Sequence, residues 1–492
     1  MTLVKIKAKD GSPVEFIYKD PKQGGMKDVY FAPDRSYVVA FFRKKLDYNG
    51  LERIEKLVGQ YRKGIFEQAG GDYWKDLYCW PEKVVEHNGL TGLVVPCYQS
   101  HYFFGKSTAL AGEEKEGKWF ASPKVFNRFV PAEEKGTLFN YLRICLKLAR
   151  AVRRLHAAGL AHSDLSYKNC LVDPAGGNAC IIDIDGLVVP GLFPPDVVGT
   201  PDFIAPEVVS SLHLSLQDPN RKLPRRTTDQ HALSVLIYMY LFHRHPLRGR
   251  KVHDADPHKQ ETLEMGEKAL FIEHPTDASN RVKLTDMDKV CLPWVDPSKL
   301  PYTMFGSILK GLFEKAFIEG LHDPSKRPTA DDWEDALVKT SDMIQPCPNA
   351  ACVKKWFVFD NTTKPKCPYC DTPYRGVLPV LDFYSSRRAG ESYKPDNHRL
   401  MVFSGQSLSL WHVDRTIFPS EKLTPEQCKR VGYFQFHNGK WFFVNETLAG
   451  MKNITSDKPI PKGGNVELTE GLQLLLSPEA TGRVVNVKIV NG

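Results

Sequence analysis

The strongest constraint on the fold is a polar segment, HSDLSYKN at 162–169, which lies between a helical pattern and a strand pattern. The helical pattern is the amphipathic stretch at 137–158, and Gly159 is well placed as its C-cap. After Asn169 come a strand CLV, a turn DPAGGN, a second strand ACII and the acidic cluster DID at 183–185. Carboxylate and amide oxygens at both ends of this hairpin can converge on Mg²⁺, a hard cation that also binds nucleotide phosphates. The segment therefore predicts a phosphoryl-transfer site.

The order of the segments resembles the eukaryotic-type protein kinase family. HSDLSYKN fits the family motif HxDLxxxN, IIDIDG stands where the metal-binding DFG segment lies, and GTPDFIAPE matches the end of the activation segment. Asp229, in TTDQHALSVLIYMYLF, resembles the start of the central helix of the large lobe. Arg327, in HDPSKRPTA, resembles the arginine that pairs with the APE glutamate, here Glu207. The resemblance implies an α+β chain with a bilobal protein-kinase-like fold.

The same resemblance implies a role for each polar residue of the expected site. Asp164 would accept the proton of the substrate hydroxyl, Asn169 would hold Mg²⁺, and Asp183 would bridge Mg²⁺ to the β- and γ-phosphates of ATP. Asp185 replaces the glycine of DFG and is an alternative to Asp183 as the metal ligand. Thr200 is similar to the threonine that Ser/Thr kinases place against the base. The implied activity is ATP- and Mg²⁺-dependent transfer of phosphate to Ser or Thr of a partner protein.

The small lobe departs from the family at the lysine that anchors the nucleotide phosphates. Lining up KQGGMKDVY with the glycine-rich motif puts Gly24 at the middle glycine and Val29 over the adenine. The strand SYVVAFFRKK resembles the lysine-bearing strand, but Ala40 falls where the lysine belongs. The helix glutamate that pairs with this lysine in the family would be Glu52 or Glu55. Four cations are candidates for a substitute, each with a solvated surface position as the alternative: Lys22, Lys27, Arg43 and Lys44.

Two further parts of the nucleotide site follow from the resemblance. The expected hinge is 94–98, in GLVVPCY, so the backbone of Val95 and Cys97 would read the adenine edge. Position 166 is Ser, where Ser/Thr kinases usually carry a lysine for the γ-phosphate. Lys168, two residues on, is the candidate to replace it.

A quartet of cysteines follows the helical region. CPNAACVKKWFVFDNTTKPKCPYC places two cysteine pairs on either side of an aromatic strand, a spacing typical of a tetrahedral Zn²⁺ site in a zinc ribbon. Disulfides or two unrelated buried pairs are the alternatives. Because four protein ligands close the site, we expect a structural metal. The ligands would be Cys347, Cys352, Cys367 and Cys370. Nearby lysines permit nucleic-acid binding, with solvated surface cations as the default interpretation: Lys354, Lys355, Lys364 and Lys366.

The tail reads as eight to ten short strands over 398–492, which predicts an all-β sandwich. GKWFFVNE followed by IPKGGNVELTEG is similar to the forkhead-associated domain. The Arg and Ser on which phosphothreonine recognition depends in that family have no clear counterpart here, so a protein-docking sandwich is the alternative. The expected domains are a small kinase lobe at 1–98, a large lobe at 99–342 with an insertion or lid at 99–136, a zinc ribbon at 343–375 and the sandwich at 376–492.

This combination looks most like bacterial kinases of tellurite-resistance and stress gene clusters. Those kinases are members of a triad with a von Willebrand A domain protein and a PPM-type phosphatase, which are the partners that the resemblance implies. With 66 Lys and Arg against 58 Asp and Glu, the net charge of +8 is too mild to indicate nucleic acid as the main partner. The N-terminal residues lack the apolar core of a signal peptide, and no apolar run is long enough to cross a bilayer, so we expect a cytoplasmic protein with no membrane partner.

Two other functions remain open at this point. A pseudokinase scaffold that binds nucleotide weakly is favoured by Ala40 and Ser166, whereas the intact Asp164, Asn169 and Asp183 argue against it. A small-molecule phosphotransferase on the same fold is disfavoured, because GTPDFIAPE resembles a peptide-binding activation segment.

Overall fold

The computed structural model describes residues 2–23, 26–67, 70–189, 199–360, 365–388 and 391–491. The chain divides into two compact units. The first comprises Met1–Gly136, Asn140–Pro301 and Leu312–Glu334, and the second comprises Thr137–Phe139, Tyr302–Gly311 and Asp335–Gly492. The domain boundaries expected at 98, 342 and 375 stay predictions.

The first unit begins with a lobe that is mainly β-sheet. Its strands in the described residues are β1 (Thr2–Lys7), β2 (Pro13–Tyr18), β3 (Lys22–Gln23), β4 (Lys27–Phe31), β5 (Tyr37–Phe42), β6 (Lys83–His87) and β7 (Leu90–Pro96). Its helices are α1 (Tyr48–Lys56), α2 (Arg62–Phe66) and α3 (Gly71–Leu77). Five strands form one antiparallel sheet in the order β3-β4-β5-β7-β6. Alternating apolar residues such as Phe16, Val39 and Phe41 build the core on one face of this lobe.

Two details of this lobe concern its first strands and its first helix. The segment VEFIY is β2, and it pairs with β1 in a hairpin separate from the five-stranded sheet. A π-helical turn at Leu57–Tyr61 lies between α1 and α2. This turn adds a residue to the helical repeat, and Ile54, Leu57 and Ile65 are all buried around it.

The second lobe is mainly helical. Its helices are α4 (Lys118–Ala121), α5 (Pro123–Phe129), α6 (Leu138–Ala157), α7 (Pro206–Val209), α8 (Arg226–Phe242) and α9 (Pro257–Met265). One hairpin, β8 (Cys170–Asp173) with β9 (Asn178–Ile181), lies among them. The next two helices, α10 (Gly306–Glu314) and α11 (Ala330–Ser341), contain residues of both compact units. The prediction that α8 is central is confirmed, since its residues from Ala232 to Phe242 are all buried. Gly159 has a φ of +80°, which suits the predicted C-cap after α6.

The segment at 99–136 is part of this helical lobe and is not a lid between lobes. Gly117 donates to the carbonyl of Cys170 at 2.9 Å, and Val172 donates to the carbonyl of Lys115 at 2.9 Å, so the segment is bonded to β8. Phe120 and Phe126 are fully buried. We expected a lid because the segment shows no helical period. Two helices as short as α4 and α5 cannot produce such a period. Across the part of the chain that is described, we find no helix with both the length and the apolar character needed to cross a bilayer.

The second unit carries a short strand pair and two larger sheets. The short pair is β10 (Ile344–Pro346) with β11 (Trp356–Val358). The remaining elements are β12 (Val377–Ser385), β13 (Lys394–Met401), β14 (Ser407–Ser409), α12 (Leu410–Val413), β15 (Arg430–His437), β16 (Lys440–Asn445), β17 (Lys452–Asn453), β18 (Lys458–Pro459), β19 (Asn465–Glu467), β20 (Gln473–Leu475) and β21 (Arg483–Asn491). The sheets have the orders β13-β12-β21-β20-β17-β18 and β14-β15-β16-β19.

The two larger sheets share one apolar core, which makes this region the expected sandwich. Phe383 and Val485 from the first sheet and Phe434 and Phe443 from the second belong to the same buried cluster. The indole Nε1 of Trp441 donates to the carbonyl of Val377 at 2.7 Å and so links the sheets.

Candidate active site

The segment HSDLSYKN forms the loop between α6 and β8, and Asp229 at the start of α8 fixes its backbone. The carboxylate of Asp229 accepts the backbone N–H of His162 at 2.7 Å and that of Ser163 at 3.2 Å. Ser163 has a φ of +66°, a left-handed conformation that costs a side-chain-bearing residue free energy. The buried imidazole of His162 also contacts the carbonyl of Ile182 at 3.0 Å. These bonds hold the loop in the shape that presents the next residue, Asp164, to the cleft.

The carboxylate of Asp164 accepts hydrogen bonds from two residues, Asn169 of the same loop and Thr200 near the end of the activation-segment motif. Its Oδ1 accepts the N–H of Thr200 at 2.7 Å and the hydroxyl of Thr200 at 2.9 Å. Its Oδ2 accepts Nδ2 of Asn169 at 2.9 Å, and the same Nδ2 donates to the carbonyl of Asp164 at 2.8 Å. Because the amide of Asn169 uses its nitrogen in this way, Oδ1 is the atom it can offer to a cation.

The acidic cluster after β9 faces the same cleft and meets a lysine from the sheet lobe. Nζ of Lys27 lies 2.5 Å from Oδ1 of Asp185 and 3.4 Å from Oδ1 of Asp183. The side chain of Asp185 is 11% exposed, whereas that of Asp183 is 53% exposed. Asp183 also has a left-handed backbone, with φ 59° and ψ 45°. The two carboxylates therefore differ: one is enclosed with the lysine, and the other opens to the cleft.

The charges of this cluster shift one another's pKa values. Burial and the neighbouring Asp185 raise the pKa of the Asp183 carboxyl. Burial opposes ionisation of Asp185 as well, but the Lys27 ammonium outweighs it and holds the pKa of Asp185 below its ordinary value. Burial also opposes the charge on Lys27, yet Asp185 and Asp183 together raise the pKa of this lysine. The cluster is thus a salt-bridged site in which Lys27 stays protonated.

A cleft of about 410 Å³ contains Asp164, Asp183 and Asp185, and Lys27 contacts the last two of these residues. Residues from the sheet lobe and from the helical lobe line it: Met26, Phe42, Arg43, Lys44, Leu46, Arg53, His162, Ser163, Asp164, Asp183, Asp185 and Gly186. Asn169 adjoins this cleft, since its carbonyl accepts the N–H of Ile182 at 3.0 Å, directly before Asp183.

The predicted adenine-binding residues occupy the sheet and its exit. Val29 on β4 lies opposite Ala40 on β5, and Val95 on β7 lies opposite Val38. The backbone N–H of Cys97 donates to the carbonyl of Ser36 at 3.1 Å. Because this N–H is already used, an adenine beside Cys97 would contact the backbone carbonyl of Cys97 and not its N–H. Gly24 lies outside the described residues.

Other predicted site residues lie away from the cleft. Glu52 pairs with Lys56 at 2.8 Å, and Glu55 pairs with Lys9 at 2.5 Å. Neither glutamate of α1 therefore pairs with Lys27. Lys168 is exposed and is not among the described residues that line the cleft.

The end of the activation-segment motif is fixed by a buried arginine. Arg327 donates through Nη1 and Nη2 to the two carboxylate oxygens of Glu207, at 2.8 and 2.7 Å. The same guanidinium donates to the carbonyls of Thr227 and Gly320, each at 2.9 Å. The predicted pair is therefore formed, with the arginine 3% exposed.

The four cysteines of the second unit come together with a metal-compatible geometry. Their sulfur atoms all lie within 4.8 Å of one another. Sγ of Cys347 is 3.5 Å from that of Cys370, and Sγ of Cys352 is 3.7 Å from that of Cys367. Tetrahedral Zn²⁺ with Zn–S bonds of about 2.3 Å would place its sulfurs about 3.8 Å apart, far beyond a disulfide bond of about 2.05 Å. The geometry of the quartet is therefore compatible with zinc.

A second cluster, in which two buried histidines share one carboxylate, has no signature in the sequence. Oδ2 of Asp342 lies 2.6 Å from Nε2 of His398 and 3.2 Å from Nε2 of His412. Nδ1 of His412 accepts the N–H of Ser409 at 3.1 Å, so the ring proton is on Nε2 and is donated to Asp342. A metal ligand needs that nitrogen unprotonated, and we therefore interpret the cluster as hydrogen-bonded. A pairing of residues this far apart in sequence could not be found from spacing.

Comparison with known proteins finds similarity to protein kinases. Residues 124–335 match the family model described as the protein kinase domain. Over 102 residues the chain is 34% identical to the death-associated protein kinase dapk-1 of Caenorhabditis elegans, an alignment that covers 20% of this chain and 6% of that protein. The chain thus spans only a small part of this curated relative.

A solved structure, the kinase domain of a Toxoplasma gondii specific rhoptry antigen, aligns with 69% of this chain and 86% of its own at 13% identity and a TM-score of 0.40. The segment that the family model matches contains the loop of Asp164, the acidic cluster and the Glu207–Arg327 pair. Residues 124–335 of this chain therefore match a protein kinase domain and contain the motifs that the sequence predicts for it.

Proposed function

We propose that this chain transfers the γ-phosphate of ATP to a Ser or Thr hydroxyl of a partner protein. The observation that carries the proposal is the arrangement of Asp164: Thr200 and Asn169 orient its carboxylate, and it lines one cleft with Asp183. A carboxylate held in this way can accept a hydrogen bond from a substrate hydroxyl and then its proton.

The other polar residues of the cleft suit a metal-bound triphosphate. Oδ1 of Asn169 and the half-exposed carboxylate of Asp183 would hold Mg²⁺, with oxygen ligands of the kind this cation prefers. When bound, Mg²⁺ would neutralise charge on the phosphates. Thr200 beside Asp164 supports Ser or Thr as the acceptor, and the segment that ends at Glu207 supports a protein substrate.

The remaining expectations belong to the same proposal. Zn²⁺ on the four cysteines would hold the short β10–β11 module together, and the sandwich would serve for protein docking, with phosphothreonine binding as the less favoured role. The von Willebrand A domain protein, the PPM-type phosphatase, the link to tellurite resistance and the cytoplasmic location are supported by the sequence resemblance.

The test combines nucleotide binding with phosphotransfer. We expect ATP to raise the melting temperature of the full-length protein in a Mg²⁺-dependent way, and radiolabelled phosphate to appear on serine or threonine of the chain or of a generic protein substrate. Asp164→Asn should lower the transfer rate by about 10²- to 10⁴-fold, the usual range for a lost general base, and leave the thermal shift in place. Asp72→Asn, an exposed aspartate on α3, is the matched control.

Two results would count against the proposal. Nucleotide binding without phosphotransfer by the wild type would favour the pseudokinase scaffold. Transfer to a small molecule but to no protein would favour a small-molecule phosphotransferase.

A further inference from the structure

We propose that Lys27 is the cation that binds the nucleotide phosphates and that Asp185 is its positioning residue. Lys27 and Asp185 would then take the place of the ion pair that the strand lysine and the helix glutamate form in other protein kinases. This inference rests on the proposed function and assigns the residue that stands in for the lysine missing at position 40.

The strand register explains how a lysine on β4 can replace one on β5. In the antiparallel pair, Lys27 lies opposite Phe42 and Val29 lies opposite Ala40. Residues directly opposite each other share a face of the sheet, and so do residues two apart on one strand. Lys27 is therefore on the same face as Ala40, one strand away. Neighbouring strands are about 4.8 Å apart, which a four-carbon side chain can span.

Of the four candidate cations, Lys27 is the one whose ammonium group contacts the acidic cluster in the part of the chain that the structure describes. It contacts Asp185 at 2.5 Å, is 17% exposed, and lies 5.4 Å from the centre of the Phe42 ring. Lys22 instead pairs with Glu114 at 2.5 Å. Arg43 and Lys44 line the cleft, and Arg43 pairs with Asp28 at 2.8 Å. A mostly buried ammonium that is already desolvated binds phosphate more strongly than a solvated one.

Asp185 replaces the helix glutamate as the partner of this lysine. In protein kinases the strand lysine pairs with a glutamate of the helix that follows the strand. Here α1 directs Arg53 into the cleft, while Glu52 and Glu55 pair with lysines elsewhere. The 11% exposed carboxylate of Asp185 makes the contact instead.

In this arrangement Asp183 and Asp185 have different roles. Asp185 is enclosed with Lys27, so its charge is used to hold the ammonium in place. Asp183 is 53% exposed and lies 3.4 Å from the same ammonium, which leaves its carboxylate open to a metal ion on the cleft side. The assignment of Asp183 to Mg²⁺ and of Asp185 to Lys27 follows from this difference.

The first experiment measures binding of ADP and of adenosine to the full-length protein by calorimetry, in buffers with and without Mg²⁺. Lys27→Met should weaken ADP binding by about 10- to 150-fold, the equivalent of one lost hydrogen bond between charged groups. Adenosine has no phosphate, so its affinity should not change. Lys22→Met is the matched control and should bind both as the wild type does. Equal ADP affinity of Lys27→Met and the wild type would overturn the proposal.

A second measurement guards against a folding defect in Lys27→Met. The double variant Lys27→Ala/Ala40→Lys returns the lysine to β5 on the same face and should bind ADP more tightly than Lys27→Ala does. A double variant with the melting temperature of the wild type and the ADP affinity of Lys27→Ala would count against the role of this cation.

The role of Asp185 is tested by a double-mutant cycle on ADP affinity without Mg²⁺. Asp185→Asn should weaken ADP binding in the wild-type background by a smaller factor than Lys27→Met does, and it should have no further effect in Lys27→Met. Asp185→Glu should restore binding. Asp183→Asn should act only when Mg²⁺ is present. If Asp185→Asn also acts only with Mg²⁺, Asp185 is a metal ligand and its positioning role is wrong.

The results separate this inference from the proposed function. A wild type that binds ADP and transfers phosphate, together with an unaffected Lys27→Met, would remove the inference alone. A wild type that binds no ADP would remove both.

Discussion

Single carboxylates in the active site have distinct tasks, which their hydrogen-bond partners define. Asp229 accepts backbone N–H groups and shapes the loop, Asp164 accepts Thr200 and Asn169, and Asp185 accepts Lys27. Asp183 alone among these four has a side chain that is more than half exposed. Burial and partner therefore distinguish structural carboxylates from those that can meet substrate or metal.

Thr200 offers a test of how much the orientation of Asp164 matters. Thr200→Val removes the hydroxyl at 2.9 Å but keeps the backbone N–H bond at 2.7 Å and the side-chain shape. We expect the phosphotransfer rate to fall about 10-fold, since a hydrogen bond to a charged group contributes about 1.5 kcal/mol. Steady-state kinetics should show the loss in kcat. Thr200→Ser keeps a hydroxyl and should stay close to wild type, and equal rates for Val and Thr would contradict the assigned contact.

Motif spacing predicts that Asp164, Asn169 and Asp183 lie close together, and the structure brings them to one cleft, because the loop and the hairpin that carry them are local in sequence. Lys27 remained one of four candidates. Its contact with Asp185 depends on the register of β4 with β5 and on the approach of two lobes, and neither is encoded in spacing along the chain.

At the scale of elements, buried polar contacts fix the positions of neighbouring segments relative to one another, which apolar packing alone does not do. Arg327 joins Glu207 at the start of α7 to the carbonyls of Thr227 in α8 and of Gly320. Such a contact fixes the end of the activation segment relative to the central helix.

Removing Arg327 should destabilise the first unit. Arg327→Met would leave the carboxylate of Glu207 and the carbonyls of Thr227, Gly320 and Leu321 without their donor. Loss of one partner of a buried ion pair typically costs about 3–5 kcal/mol. Urea unfolding should show this loss in the free energy of unfolding. Lys326→Met changes the exposed neighbouring cation and should have little effect. A loss below about 1 kcal/mol for Arg327→Met would show that solvent replaces these bonds.

The Asp342 cluster predicts a pH dependence of stability in the second unit. Although burial opposes its ionisation, His412 and His398 hold the pKa of the Asp342 carboxyl well below its ordinary value. A lowered native pKa contributes stability that is complete above the unfolded pKa of about 3.9 and is lost as the pH falls further. Asp342→Asn should therefore be less stable than wild type at pH 7, and the difference should shrink below about pH 4. Urea titrations at both pH values test this, and a constant difference would contradict it.

Element prediction failed where tertiary contacts override a local pattern. The apolar pattern of LSLWHV is typical of one strand, but β14 ends at Ser409 and α12 follows, because His412 caps the turn through Ser409 and bonds to Asp342. The helical segments in 99–136 were missed for a related reason: their apolar residues are too few to show a period. By contrast, the long patterns of α6 and α8 were read correctly from sequence.

At the scale of the whole molecule, the two expected ligand sites belong to different compact units. The nucleotide cleft is built from residues of the first unit, and the cysteine quartet belongs entirely to the second. A ligand that binds only the native state stabilises the part it binds, by about 2.7 kcal/mol at a concentration of 100 times Kd.

Calorimetry of the full-length protein should therefore resolve two unfolding transitions that respond to different ligands. We expect Mg²⁺ with ADP to raise the melting temperature of one transition and a strong zinc chelator to lower that of the other, because thiolate ligands without metal repel one another and lose their bonds. Cys352→Ser should mimic the chelator, while Cys428→Ser, at an exposed cysteine outside the quartet, should not. If both ligands move a single transition, the two units unfold together and the nucleotide and zinc sites are thermodynamically coupled.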